Sequence, residues 1–277
     1  AKYGLSYADL KAINPRLIYC SITGYGQTGP KARDPGFDEA LQAASGMMAV
    51  TGTEESGPLK CTGTVVDYTT AYVSAFAIAG ALYQRTRTGA GQHIDVSMLE
   101  TAMTLITNEA TRAATNGDSP PLVGNGTNRG RYITNSFRCK DGAWLMVVAR
   151  APNLRERLYR AIDRMDILTD PRFATPALCR QNIRELDGEV QKALATRTAA
   201  EWEALLNEAG VAAMRILSVP EAVAQPQIAA RGFLHQFAAD PAANLPAYTV
   251  PTTSYRFSNS KVEVKRRAPL HLSLIHI

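Results

Sequence analysis

Leu17-Ile18-Tyr19-Cys20-Ser21-Ile22, followed by Thr23-Gly24-Tyr25-Gly26-Gln27-Thr28-Gly29-Pro30, is the stretch on which the fold turns. A nearly continuous apolar run predicts a strand buried on both faces, as in a parallel sheet. The glycines and proline behind it predict a loop at the strand's C-terminal end. A strand-to-helix passage follows later in the chain. Thr88-Gly89-Ala90-Gly91-Gln92 leads into a strand over Gln92–Val96, then a helix from Ser97 to about Thr115.

Between the two passages lie a helix over Phe37–Met48, a Gly/Pro loop over Gly52–Pro58 and an extended segment over Lys60–Val66. A long helix follows, from near Tyr68 to about Arg87, with Gly89 as its stop. Upstream, Ser6 with Asp9 opens a short helix as a capping box, and Asn14-Pro15 closes it. Strands and helices in alternation predict an α/β large domain, a mostly parallel sheet with helices on its faces.

The pattern breaks over Asn116–Gly130, where Gly, Pro, Asn and Asp crowd together. Residues 1–117 are therefore assigned to the large domain and 118–130 to a linker. A second, smaller α+β domain spans 131–250. It opens with a hairpin, Ile133–Phe137 and Trp144–Val148 around an Asp141-Gly142 turn. Thr198 with Glu201 caps a helix that Gly210 ends, and Ser218-Val-Pro-Glu221 starts another.

Composition narrows the function. The chain has 277 residues, 45% hydrophobic and 20% charged, with a net charge of +5. The pI is near 9.0 and the mean hydropathy −0.14. Such a balance suits an anionic small ligand, but no basic stripe with interleaved aromatics marks a nucleic-acid surface. Four scattered cysteines without a C-x-x-C pair, and no clustered histidines, argue against a zinc site or a disulfide scaffold. They are read as reduced thiols in a cytoplasmic protein. The longest apolar run, Ala71–Tyr83, falls short of the roughly 20 residues of a membrane span.

Asp67 stands at the junction of the Lys60–Val66 segment and the long helix. The ordinary reading of an acid there is a helix cap. The glycine-rich turns on either side allow a second, that it is the working carboxylate of a site.

Those flanking motifs carry a resemblance. Asn14-Pro-Arg-Leu-Ile-Tyr, Ser21-Ile-Thr-Gly-Tyr-Gly-Gln-Thr-Gly-Pro30, Pro35-Gly-Phe-Asp38, Gln42-Ala-Ala-Ser-Gly46 and Thr88-Gly-Ala-Gly-Gln92 occur in order. Asp170-Pro-Arg-Phe173, Glu201-Trp202 and Arg231-Gly-Phe233 follow downstream. Together they resemble the family III CoA-transferases, the group of formyl-CoA transferase, carnitine CoA-transferase and alpha-methylacyl-CoA racemase. The resemblance implies a Rossmann-like large domain, here incomplete at the front and after Pro269-Leu270. It also implies a return of residues 251–270 toward that domain. Ala1 reads like the middle of a domain, and residues 271–277 read as a non-native tail, so the chain is expected to be a fragment.

The resemblance places the catalytic aspartate at Asp67. Its carboxylate would attack an acyl-CoA thioester, giving an anhydride and then an aspartyl-CoA thioester, so that CoA passes to an acceptor carboxylic acid. Coenzyme A is then a substrate, with no permanently bound cofactor and no metal. A helix N-terminus stabilises a carboxylate by about 0.3–1 kcal/mol, which also slightly dulls it as a nucleophile.

Racemases of the group carry a histidine where this chain has Phe37, which moves no proton; transfer is thereby favoured over 2-methylacyl-CoA racemisation. A truncated, non-catalytic member is the third reading. Asp38 matches an acid near the catalytic aspartate or is a plain helix-start acid. Met98, Arg33 and Lys31 match positions near CoA, although Met98 equally suits a core. Gly124-Asn-Gly126 and Gly130 are either plain linker residues or stand-ins for the family's oxyanion-binding loop. Relatives form interlocked homodimers, so the same is expected here.

Overall fold

The structure, a computed structural model, describes residues 3–118, 120–122, 124–126, 133–241 and 245–267. The tail 271–277, Gly130 and part of the 118–130 linker lie outside them. The chain divides into two compact units, Ala1–Met214 and Arg215–Ile277.

The first unit opens with α1 (Tyr7–Ile13), β1 (Ile18–Thr23) and α2 (Asp38–Ala44), then a small hairpin of β2 (Gly52–Thr53) and β3 (Gly57–Pro58). Next come α3 (Val65–Thr88), β4 (Gln92–Ser97), α4 (Met98–Leu105) and α5 (Thr107–Asn116). β1 and β4 pair in parallel from Ile18↔Gln92 to Thr23↔Ser97, in keeping with the parallel sheet expected from the alternation of strands and helices. Leu41, Val66, Met98 and Ala102 form the core beneath them, one residue or more from each of α2, α3 and α4.

Local chemistry explains the element ends. Ser6 and Asp9 form the expected capping box, and Gly89, at φ 74°, closes α3 by donating its amide to the Arg85 carbonyl. Gly91 has no room for a side chain, because a Cβ there would lie 1.9 Å from the Leu17 carbonyl oxygen.

Four expectations are corrected. Lys60–Val66 is not a strand. Cys61 makes its backbone hydrogen bonds to the Gln42 side chain, Gly63 turns the chain, and the helix begins at Val65 rather than near Tyr68. The Phe37–Met48 helix stops at Ala44, because Gly46 takes φ 85° and a short 3-10 turn, Met48–Val50, follows. The Ser97–Thr115 helix is two helices, broken at Ile106 where ψ reaches 36°. β1 is only half-buried, with Ile22 50% exposed, since β4 is its one sheet neighbour among the described residues.

α3 also exceeds what the Ala71–Tyr83 run suggests. Its 24 residues, at mean hydropathy 1.3, are long and apolar enough to cross a membrane by length and composition alone. Most of its surface is exposed, including Tyr68, Tyr72, Phe76 and Tyr83.

The rest of the first unit holds β5 (Ile133–Arg138), β6 (Trp144–Ala149), α6 (Pro152–Ala161), α7 (Pro176–Gln181), α8 (Ile183–Leu194), α9 (Ala199–Glu208) and β7 (Ala212–Arg215). β5 and β6 form the expected antiparallel hairpin, and β7 completes the order β5-β6-β7. Ile133, Phe137, Leu145, Leu158, Leu186 and Leu206 anchor a core separate from the first. Thr198 and Glu201 cap α9 reciprocally, and the Trp202 indole N–H donates to the Leu194 carbonyl at 2.8 Å.

The second unit contains α10 (Val219–Val223), α11 (Pro226–Ala230), β8 (Leu234–Phe237) and β9 (Tyr248–Pro251). Ser218 and Glu221 form its capping box, and β8 pairs antiparallel with β9. The Arg267 guanidinium lies over the Tyr248 and Phe237 rings, 5.0 and 5.3 Å from their centroids.

Candidate active site

Asp67 occupies the third position of α3, inside the first turn, so it is not the cap of that helix. Thr64 holds the cap position, and its side chain makes no capping hydrogen bond. Two amides of the turn, those of Val66 and Asp67, are met instead from α2. Asp38 Oδ2 accepts from the Val66 amide at 2.7 Å and from the Asp67 amide at 3.1 Å. A carboxylate from a neighbouring helix thus does what a cap side chain usually does from within the chain.

Asp38 is itself 3% exposed, and its other oxygen, Oδ1, accepts from Gln42 Nε2 at 2.6 Å. Asp38 is the first residue of α2, and its carboxylate adjoins the Asp67 backbone. Gln42 then reaches the segment ahead of α3, accepting the Cys61 amide at 2.9 Å and donating to the Cys61 carbonyl at 3.5 Å. Sequence reasoning gave Gln42 no role. The i,i+4 spacing of Asp38 and Gln42 on one helix is the signal that reveals it.

The Asp67 side chain, by contrast, is exposed, and its carboxylate has no hydrogen-bond or ion-pair partner among the described residues. The amides that would otherwise stabilise it are engaged by Asp38. What stands at this helix end is one buried carboxylate that holds the turn and one exposed carboxylate without a partner among the described residues.

Phe37 precedes Asp38 as the N-cap residue of α2, and its ring is 73% exposed. The loop after β1 is brought against this entry by two glycines. A Cβ on Gly24 would lie 2.9 Å from the Gly36 Cα, and one on Gly36 would lie 2.7 Å from the Gly24 Cα. The loop is fixed further by the Leu99 amide donating to the Gly24 carbonyl and the Gln27 amide donating to Asp95 Oδ2, both at 2.9 Å.

Lys31 and Arg33 stand exposed on that loop. Lys31 lies 3.8 Å from Asp34 and over the Tyr25 ring, and neither cation contacts Asp67. Met98, the first residue of α4, is packed into the core against Leu41, Val66 and Ala102. Gly124 spends its amide on the Gly52 carbonyl at 2.6 Å, so it is not a free oxyanion donor. His93, to which the sequence assigned nothing, pairs with Ser21 Oγ at 2.9 Å in a groove also lined by Tyr7, Tyr19 and Gln27.

The chain is similar to known proteins. The model of CoA-transferase family III matches residues 1–271. The acetyl-CoA:oxalate CoA-transferase of Acetobacter aceti is 36% identical over 84% of this chain and 60% of its own length. The succinate–glutarate CoA-transferase of Agrobacterium fabrum is 34% identical over 91% of this chain and 62% of its own. The chain therefore spans about 60% of the length of these curated relatives. Among solved structures, a CaiB/BaiF family protein from Brucella suis superposes with a TM-score of 0.79 at 32% identity, covering 97% of this chain and 68% of that one.

Proposed function

Because the chain belongs to CoA-transferase family III, we propose that it moves coenzyme A from an acyl-CoA thioester to a carboxylic acid, with Asp67 as the nucleophile. The observation that carries this reading is an exposed Asp67 carboxylate in a helix turn whose amides are already engaged by Asp38. A carboxylate is a weak nucleophile, so leaving it free of those donors matters.

The steps balance without any outside reagent. An Asp67 oxygen attacks the thioester carbonyl; the C–S bond breaks and CoA leaves as thiolate, giving a mixed anhydride. The thiolate then attacks the Asp67 carbonyl carbon of that anhydride. The original acid departs as carboxylate and an Asp67–CoA thioester remains. An acceptor carboxylate attacks this thioester, forming a second anhydride and freeing the thiolate again. Attack of the thiolate on the acceptor's carbonyl yields the new acyl-CoA and restores Asp67. Each intermediate hydrolyses readily, so water has to be kept away during turnover.

Phe37 supports transfer over racemisation, since it offers no proton beside Asp67. Lys31 and Arg33 are the cations we assign to the phosphates of CoA. The two relatives named above act on small dicarboxylic acids, oxalate and glutarate among them, which makes such acids the first acceptors to assay. The apolar exposed face of α3 supports a homodimer as the working unit.

The test is direct. The protein is incubated with an acyl-CoA, quenched with hydroxylamine and digested. A hydroxamate or CoA adduct on the Asp67 peptide is expected by mass spectrometry. An unmodified peptide, with full activity in Asp67→Asn, would sink the reading.

A further inference from the structure

We infer that Gln42 is a positioning residue for this transfer, acting on Asp67 through Asp38 and through Cys61; the inference rests on the reading above. Gln42 is fully buried, and a buried amide is costly unless its polar atoms are met. They are met here entirely by groups that lead to the site. Nε2 donates to Asp38 Oδ1 at 2.6 Å and to the Cys61 carbonyl at 3.5 Å, while Oε1 accepts the Cys61 amide at 2.9 Å.

Two routes run from this one side chain to the nucleophile. Along the first, Gln42 fixes the rotation of the Asp38 carboxylate, whose other oxygen holds the Val66 and Asp67 amides. Along the second, it holds Cys61, from which the chain turns at Gly63 into α3. Thr64 supplies no side-chain cap of its own, so these two routes set where the first turn of α3 stands. Removing the amide frees Asp38 to rotate and leaves the Cys61 amide without its acceptor. Gln42 touches no reacting atom; its effect is on where Asp67 sits. Displacing a nucleophile by on the order of 1 Å costs roughly a hundredfold in rate.

The experiment uses two variants of the intact protein. Gln42→Leu keeps most of the volume and removes both polar ends. Gln42→Glu keeps the shape and sets an oxygen where Nε2 faced Asp38, so it carries the test if the first variant fails to fold. CoA exchange between an acyl-CoA and a carboxylic acid is measured with kcat and KM separated, beside Asp67→Asn, and amide hydrogen exchange is followed over residues 61–67. A loss in kcat of roughly a hundredfold with KM within about twofold, and faster exchange at Val66 and Asp67, is the expected result. Unchanged kcat in a folded variant, with Asp67→Asn inactive, overturns this inference and leaves the transfer reading standing. Activity in Asp67→Asn overturns the transfer reading and this inference with it.

Discussion

Asp38 holds the turn that carries Asp67: a single carboxylate oxygen from α2 accepts the amide of Asp67 at 3.1 Å and that of its neighbour Val66 at 2.7 Å. The two acids divide the work at one helix end. The buried one answers the backbone, and the exposed one keeps its electron pairs.

Replacing Asp67 by Asn should therefore separate activity from stability. Transfer is expected to fall by roughly a thousandfold or more, as when a nucleophile is removed. Unfolding free energy should change by no more than about 1 kcal/mol, the worth of an exposed acid in a first helical turn. A coupled CoA-release assay beside thermal denaturation checks both.

Asp38→Ala should behave in the opposite sense, with a large cost in stability. It strips acceptors from the Val66 and Asp67 amides and from Gln42 Nε2, all in a buried setting. A loss of about 1–3 kcal/mol is expected by urea denaturation. Wild-type stability in this variant would contradict the capping role.

Gly91→Ala tests the close approach between the ends of β1 and β4. The new methyl would lie 1.9 Å from the Leu17 carbonyl oxygen, and the Gly91 amide is already tied to the Pro15 carbonyl at 2.9 Å. Neither backbone has room to yield, so a loss of about 3 kcal/mol or more is expected, the upper end of overpacking. Soluble yield and midpoint of denaturation report it.

Acid should weaken the capping boxes. The Thr198 hydroxyl and then the Thr198 amide hold the Glu201 carboxyl below its ordinary 4.5. A lowered folded pKa means the unfolded chain binds the proton more tightly. The contribution is complete above pH 4.5 and is lost as pH falls through the lower folded value. Glu201→Gln should flatten the acid limb of a stability-against-pH curve; an unchanged limb would deny the linkage.

Phe76, 82% exposed on α3, is the residue to change if that face is covered in a homodimer. Phe76→Glu should convert a dimer to a monomer in multi-angle light scattering. An unaltered mass would place the interface elsewhere.

How much was legible in the sequence depended on whether a signal was local. Ser6–Asp9, Thr198–Glu201 and Ser218–Glu221 carry their partners three residues away, and all three capping boxes form. A parallel pairing such as that of β1 with β4 was legible because strands and helices alternate along the first third of the chain. The start of α3 was misread for the opposite reason. Val65 and Val66 favour a strand by type, yet their setting is decided by Asp38 and Gln42, which come from a different helix. Met98 shows the same limit. The sequence left a core position and one near CoA equally open for it, and what decides its core packing comes from Leu41 and Val66 on other helices.

The β1–β4 pairing also sets an order of events in time. Ser21 and His93, joined across these strands, are 72 positions apart, and both site carboxylates lie in the stretch between them. Contacts this distant in sequence form slowly, after a long loop has closed. On the ribosome, Asp38 and Asp67 emerge well before Gln92–Ser97 does, so the nascent site waits for a strand not yet translated. Anything that slows release of that strand prolongs the interval in which the apolar length of α3 lacks its packing against β4 and α4.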